Sequence, residues 1–337
     1  MKILLIKLRA IGDIILSTPV IENLRLEYPQ AKIDVLVEKF AMPVLESNPF
    51  INKILVFDKK IDSSFGLIKK VRNEKYDLVI DLFGNPRTAL ITFLSGAKKR
   101  VGFDFRFRSY AYNILVNPKG NEIHNIEFNL DSLRKINIPI KTNEPKYYLS
   151  ENISDEIKNW KNENINANDL KIGINAGGGW EIKQWKSESF AKLSDKLVEN
   201  YSAKIFLFWG PNEFEIVKNI SDKMKNKCVL IPKTNLNELA FIIKEMNLII
   251  SNDSGPMHIS SALNLPTLGI YGPTNPFLQG PTGEKSYWIR KENLDCIACN
   301  KIKCDIGNIC MRELEVENVY LKSKNILERE LNVKENI

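Results

Sequence analysis

With 337 residues the chain is longer than one ordinary hydrophobic core organises, so two domains are expected. Apolar residues make up 44% and charged residues 26%, an ordinary balance for a soluble globular protein, and no apolar run is long enough for a spanning helix. The net charge of +7, from 48 Lys and Arg against 41 Asp and Glu, favours acidic partners such as phosphorylated molecules or anionic lipid. It is too diffuse to argue for nucleic acid.

The chain opens with Lys2 to Lys7, a buried-type strand. It is too short, and wrongly flanked, for a signal peptide, so a cytoplasmic protein is expected. A tight turn, Leu8 to Asp13, leads into a helix from about Ile14 to Glu27. Ala31 to Val37 reads as a second strand, Pro43 to Ser47 as a short helix and Lys53 to Phe57 as a third strand. A helix over Gly66 to Arg72 and a strand over Tyr76 to Asp81 come next. A turn at Phe83-Gly84-Asn85-Pro86 then precedes a helix from Thr88 to Leu94. Arg100 to Phe103 is a further short strand, and His124 to Ile136 is helical. Short apolar strands alternating with helices mark a parallel, doubly wound α/β sheet.

The pattern then resets. Tyr147 to Leu149 is extended, Ile153 to Glu163 is an amphipathic helix, and Asn164 to Asn168 is a polar hinge. A second series begins with a strand at Leu170 to Asn175. It continues through helix Ser187 to Asn200, strand Lys204 to Phe208, helix Glu213 to Met224, strand Cys228 to Ile231, helix Leu236 to Glu245 and strand Leu248 to Ser251. A helix after Pro256 and a strand at Thr267 to Tyr271 complete the set, and Val316 to Ile337 looks like a charged terminal helix. The expected organisation is therefore two Rossmann-like domains, residues 1–165 and 166–337, with parallel sheets facing a central cleft. Ligands of such sheets bind outside the strands' carboxyl ends.

Four turns at those ends carry candidate chemistry. Gly12 permits a tight exit from the first strand, and Asp13 stands at a helix start, where a carboxylate suits a general base. The plain alternative is a helix cap worth about 1 kcal/mol. In Asn175-Ala-Gly-Gly-Gly179-Trp180-Glu-Ile-Lys183-Gln-Trp185, a glycine-rich loop could offer N–H groups to phosphate, with Lys183 as a point charge. It lacks the Gly-Lys-Ser/Thr of a P-loop and the GxGxxG fingerprint. Two tryptophans argue against a merely solvated loop, since each needs something to bury it. Glu213, after Trp209-Gly-Pro-Asn, could accept hydrogen bonds from ribose or sugar hydroxyls, or simply favour a helix dipole. In Asp253-Ser254-Gly255-Pro256-Met257-His258, an apolar strand stops at small polar residues and a helix begins, the anatomy of an anion site. There Asp253 could hold sugar hydroxyls while Ser254, Gly255 and His258 face a diphosphate.

Taken in order, Gly12-Asp13, Lys183-Gln-Trp185, Trp209-Gly-Pro-Asn-Glu213, Asp253-Ser-Gly-Pro-Met-His258 and Gly272-Pro-Thr274 resemble glycosyltransferase family 9, the ADP-heptose:lipopolysaccharide heptosyltransferases. The resemblance spans nearly the whole chain. It implies a GT-B fold with an acceptor-binding first domain and a nucleotide-sugar-binding second domain. It implies inverting transfer of heptose from ADP-heptose to the inner core of lipopolysaccharide, a lipid-linked anionic acceptor, with no required metal. By motif, Asp13 is the base, Lys183 contacts the donor diphosphate, Glu213 holds the ribose and Asp253 contacts the transferred sugar. The Ser254-Gly255 backbone and His258 hold the phosphates. Lys7, Arg9 and Arg87 are acceptor-side candidates by position. The expected location is the cytoplasm, with peripheral association at the inner face of the inner membrane.

Two other functional classes stay open: a family-9 transferase with another donor or acceptor, and a sugar-nucleotide epimerase or non-catalytic binder. The early Gly12-Asp13 turn speaks against the epimerase. Four of the five cysteines cluster as Cys296-x2-Cys299-x4-Cys304-x5-Cys310. That spacing permits a structural zinc or an iron–sulfur site. The uneven second and third gaps favour reduced thiols or an adventitious disulfide. His124, at a helix start, is read as structural or acceptor-side.

Overall fold

The computed structural model describes residues 1–332. The chain separates into two compact units, residues 1–148 and 149–337. The division falls earlier than residue 165, because the helix Asp155–Asn164 is tied to later residues of the second unit. Ser154 Oγ donates to Glu238 at 2.7 Å, and Lys161 pairs with Glu245 at 2.6 Å.

The first unit contains strands β1 (Lys2–Ile6), β2 (Lys32–Glu38), β3 (Lys53–Phe57), β4 (Leu78–Asp81), β5 (Lys99–Phe103) and β6 (Ile114–Val116). Its helices are α1 (Ile11–Ile15), α2 (Thr18–Glu27), α3 (Ser64–Asn73), α4 (Pro86–Leu94) and α5 (Asn125–Arg134). The strands form one parallel sheet in the order β3-β2-β1-β4-β5-β6. Ile3, Leu4, Leu5 and Ile6 are fully buried, as a central strand covered by helices on both faces requires.

The second unit contains β7 (Lys171–Asn175), β8 (Lys204–Phe208), β9 (Val229–Leu230), β10 (Leu248–Asn252), β11 (Thr267–Tyr271) and β12 (Ser286–Arg290). Its helices are α6 (Asp155–Asn164), α7 (Ser187–Tyr201), α8 (Phe214–Lys223), α9 (Leu236–Ile243), α10 (Gly255–Ala262), α11 (Pro276–Gln279), α12 (Ile309–Arg312) and α13 (Val316–Leu331). The order β12-β11-β10-β7-β8-β9 repeats that of the first sheet. In each unit the order reverses beside the first strand, between β1 and β4 and between β7 and β10. Such switch points open a crevice at the strands' carboxyl ends.

The structure corrects several expected spans. The helix expected over Ile14 to Glu27 is two helices, α1 and α2, separated at Leu16 and Ser17. Ser17 and Thr18 hydroxyls bond back to the carbonyls of Ile14 and Ile15, and Pro19 supplies no N–H to a continuous helix. The short helix expected at Pro43 to Ser47 is a 3-10 segment, Lys39–Val44, with Pro43 inside it. The strand expected over Cys228 to Ile231 contracts to β9. Edge strands β6 and β12 were not expected, since neither buries a continuous apolar run. The terminal helix is seen to Leu331, and residues 333–337 of its expected span lie outside the described residues.

Candidate active site

In the first unit, chemistry-bearing side chains gather around the switch point. Asp13 is the third residue of α1, and its Oδ2 accepts from the Ala10 amide at 3.1 Å. That bond fixes the carboxylate just past the end of β1 and leaves it half-exposed. Lys7, in the same turn, reaches across to the end of β4, where its ammonium donates to the Leu82 carbonyl at 3.3 Å. Arg87 opens α4 after β4. Its Nε donates to Ser64 Oγ at 3.2 Å, and its guanidinium lies 4.8 Å from the Phe57 ring centroid. Arg9, two residues after Lys7 in the same turn, is exposed.

Sequence reasoning missed what holds the β4 turn. Asp81 is fully buried at the end of β4. It accepts from the amides of Phe83 (3.0 Å) and Gly84 (2.9 Å) and from the Tyr112 hydroxyl (2.8 Å). Burial pushes its carboxyl up while these donors pull it back, and the net shift is upward. Gly102 makes room for the Tyr112 ring, because a Cβ there would lie 2.3 Å from it. Asp81 therefore shapes the Phe83-Gly84-Asn85-Pro86 turn that delivers Arg87. The only available signal was a carboxylate ending an apolar run just before a glycine turn.

In the second unit, α10 begins at the switch point between β7 and β10. Its N-cap, Ser254, makes no side-chain capping bond. Instead Ser254 Oγ accepts from Asn175 Nδ2 at 2.8 Å and lies 3.2 Å from Ser251 Oγ. Pro256 contributes no N–H, so the amides of Gly255 and Met257 make up the open end of the helix. His258 is buried in this first stretch.

Lys183 and Asp253 meet here. Nζ lies 2.7 Å from Asp253 Oδ2, and the Thr274 hydroxyl donates to the same oxygen at 2.7 Å. The ammonium also sits 4.6 Å from the Trp180 ring centroid. Thus Trp180 supports the lysine from one side, while Trp185 is buried, its Nε1 donating to the Leu314 carbonyl at 3.0 Å. Neither tryptophan is idle, which is what two in one loop suggested. Asn252 pins the glycine loop from below, donating to the Ala176 carbonyl at 2.7 Å and accepting from the Trp185 amide at 3.2 Å.

Glu213 lies on the other side of β7, after β8. Its Oε1 accepts from the Gly178 amide at 2.9 Å and its Oε2 from the Gly210 amide at 2.8 Å. The carboxylate thereby clamps the glycine loop to the next turn. Gly177 is required for this contact, since a Cβ there would lie 2.2 Å from Oε2. Each oxygen keeps a further acceptor position, because an ionised carboxylate offers about four. Lys183, Glu213, Asp253, Ser254, Gly255 and His258 thus share the carboxyl-end face of the second sheet.

The cysteines are free thiols. Cys310 is buried against Gly272 beside Met311, and burial pushes its thiol up to about 11. Among the described residues no group of three or more His, Cys, Asp or Glu side chains is placed to hold a metal ion. The loop serves the site mechanically: Ala298 and Asn300 amides donate to the carbonyls of Gly272 and Pro273, next to Thr274. His124 caps α5, its Nδ1 accepting from the Ile126 amide at 3.2 Å.

Comparison with known proteins agrees with this arrangement. The sequence profile of glycosyltransferase family 9 (heptosyltransferase) matches residues 64–310. Lipopolysaccharide heptosyltransferase 1 of Campylobacter coli is 29% identical, the match covering 97% of this chain and 99% of that protein. The crystal structure of a family 9 glycosyl transferase from Veillonella parvula superposes with a TM-score of 0.87 at 26% identity, covering 97% of each chain. The structure of the E. coli ADP-heptose lps heptosyltransferase II superposes with a TM-score of 0.78 at 23% identity, covering 98% of this chain and 99% of that one. The paired parallel sheets are those of the GT-B class expected from the motifs.

Proposed function

The chain belongs to glycosyltransferase family 9, and from that premise we propose that it transfers heptose, with inversion, from ADP-heptose to the inner core of lipopolysaccharide. The observation that carries the proposal is the charged, hydrogen-bonded face at the β7–β10 switch point. There an uncapped helix start, a lysine and a carboxylate lie together, as a diphosphate joined to a sugar requires. The names borne by relatives, heptosyltransferases of lipopolysaccharide, support the same substrate class.

In this reading the first unit takes the acceptor and the second takes the donor. Inverting transfer needs base and leaving group on opposite faces of one sugar ring, whose anomeric carbon gains oxocarbenium character. Asp13 removes the acceptor hydroxyl proton on one face. On the other, Lys183, His258 and the amides at the start of α10 stabilise the charge growing on ADP. Asp253 uses Oδ1 toward a sugar hydroxyl, since its contacts with Lys183 and Thr274 both fall on Oδ2. Glu213 offers its remaining acceptor positions to the ribose. Lys7, Arg9 and Arg87 receive the anionic, lipid-linked acceptor at the inner face of the cytoplasmic membrane. No divalent cation takes part, and the cysteine loop acts as reduced thiols.

The test is a donor panel: ADP-heptose against other ADP- and UDP-sugars, with transfer and hydrolysis measured with and without EDTA. Selective use of ADP-heptose, unaffected by EDTA, is expected. Preference for another sugar nucleotide would move the chain to a different donor within the family. Turnover of a free sugar nucleotide to its epimer would replace the transferase reading.

A further inference from the structure

Within the first unit, α4 presents an apolar stripe to water. Leu90 and Phe93 are 39% and 46% exposed, although a surface helix ordinarily turns such residues inward. The stripe continues onto the neighbouring loop. Tyr110, 57% exposed, packs edge-on against Phe93 with ring centroids 5.7 Å apart, and Phe107 is 83% exposed. Contiguous exposed apolar surface of this kind marks an interaction face.

The charge around it is one-sided. From Gly84 to Val116 the sequence carries Arg87, Lys98, Lys99, Arg100, Arg106 and Arg108 but a single carboxylate, Asp104. That carboxylate accepts from the Ser109 hydroxyl. Arg100 lies 6.0 Å from the Phe93 ring centroid and Arg106 5.0 Å from that of Phe107, so cations and aromatics interleave. Aromatic and aliphatic tips ringed by basic residues suit the boundary between headgroups and acyl chains of an anionic bilayer. No helix among the described residues is long and apolar enough to cross a membrane, so contact of this kind would be peripheral. The face runs from the second half of α4 to the loop between β5 and β6, where Arg100 at the start of β5 also bonds to the Ala111 carbonyl.

We propose that this face, centred on Leu90, Phe93, Phe107 and Tyr110, docks the first unit on an anionic phospholipid leaflet. The proposal rests on the acceptor being lipid-linked: docking by this face would hold the first unit at the leaflet that carries the acceptor.

The experiment is flotation of the full chain with vesicles of phosphatidylcholine alone and of phosphatidylglycerol mixed with phosphatidylcholine. Binding to the anionic vesicles only, weakened by salt, is expected. The charge-reversed pair Lys98→Glu and Arg106→Glu should weaken it by roughly fivefold or more for each residue changed. Phe107→Ser, at a side chain almost wholly in water, removes apolar contact without touching the core and should also release protein from vesicles. Phe93→Ser extends the test to α4. Absence of binding by the parent, or unchanged binding by all three variants, overturns the proposal. So does a dimer of the parent that Phe93→Ser converts to monomer, because a second copy would then occupy the face. Titration of each protein with ADP runs alongside. Intact ADP binding with no vesicle binding overturns docking alone, whereas a parent that fails to bind ADP counts against the transferase reading whatever the vesicles show.

Discussion

Replacing Lys183 by alanine probes the charged pair at the heart of the second unit. Its Nζ lies 2.7 Å from Asp253 Oδ2, and both side chains are largely withdrawn from water. Removing one partner of a buried pair costs about 3–5 kcal/mol, because the other charge stays desolvated. Two features lower that figure. Asp253 keeps the Thr274 hydroxyl at 2.7 Å, and a hydrogen bond to a charged group contributes about 1.5–3 kcal/mol. The ammonium also keeps some contact with water in the intact protein. Loss of the Trp180 contact adds back about 0.5–1 kcal/mol. The expected net loss is about 2 kcal/mol, which lowers the unfolding midpoint of a unit spanning residues 149–337 by about 4–8 °C. Adding Asp253→Asn removes the stranded charge, so the double variant should recover much of the loss. Scanning calorimetry of the three proteins decides it. A single variant melting within about 1 °C of the parent, or a double variant no more stable than the single, would refute the claim that a desolvated charge is at stake. On the proposed role, the same substitution weakens ADP binding roughly tenfold to a hundredfold, as loss of a charge-assisted contact should. Unchanged affinity by titration calorimetry removes Lys183 from the phosphate site.

Asp13→Asn should lower turnover about 10²–10⁴-fold, the range of general-base catalysis, while ADP titrates as in the parent. Near-normal transfer takes Asp13 out of the chemistry. Gly177→Ala should reproduce Glu213→Ala, because the added Cβ occupies the position of the clamping carboxylate, 2.2 Å from Oε2. Both should bind ADP more weakly and expose residues 177–183 to faster proteolysis; a Gly177→Ala protein indistinguishable from the parent disproves the clamp. Lys2 and Lys53 hold the Glu74 carboxyl down to about 2 from its ordinary 4.5. A depressed folded-state value means the stabilisation is complete above about pH 4.5 and fades as pH falls toward 2. Urea unfolding between neutral and acidic pH should therefore show a steeper acid loss in the parent than in Glu74→Gln, and parallel profiles would exclude the contribution.

Much of the fold was legible because central parallel strands are buried on both faces and so read as short, nearly unbroken apolar runs. β1, β7, β10 and β11 announce themselves this way. β6 and β12 do not, since edge strands pack on fewer neighbours and tolerate mixed sequence. The break between α1 and α2 was hidden because the apolar spacing continues across Ser17, while local hydroxyl-to-carbonyl bonds interrupt the helix. The division between the units was displaced because a polar stretch at Asn164 to Asn168 resembles a linker, although α6 is tied to Glu238 and Glu245.

The sequence by itself determined where reactive side chains stand along the chain: each comes after an apolar run that ends in small or polar residues, and such turns fall at strand carboxyl ends. What these side chains bond to was decided only by tertiary structure. Lys183 finds Asp253 seventy residues away because β7 and β10 are neighbours in the sheet. Glu213 reaches the Gly178 amide, thirty-five residues back, because β8 flanks β7 on its other side. Strand order arises from how all the helices and strands bury their apolar faces together, and no local stretch encodes it. Whether a carboxylate stands open, grips a lysine or clamps a glycine loop is therefore settled by its neighbours in space.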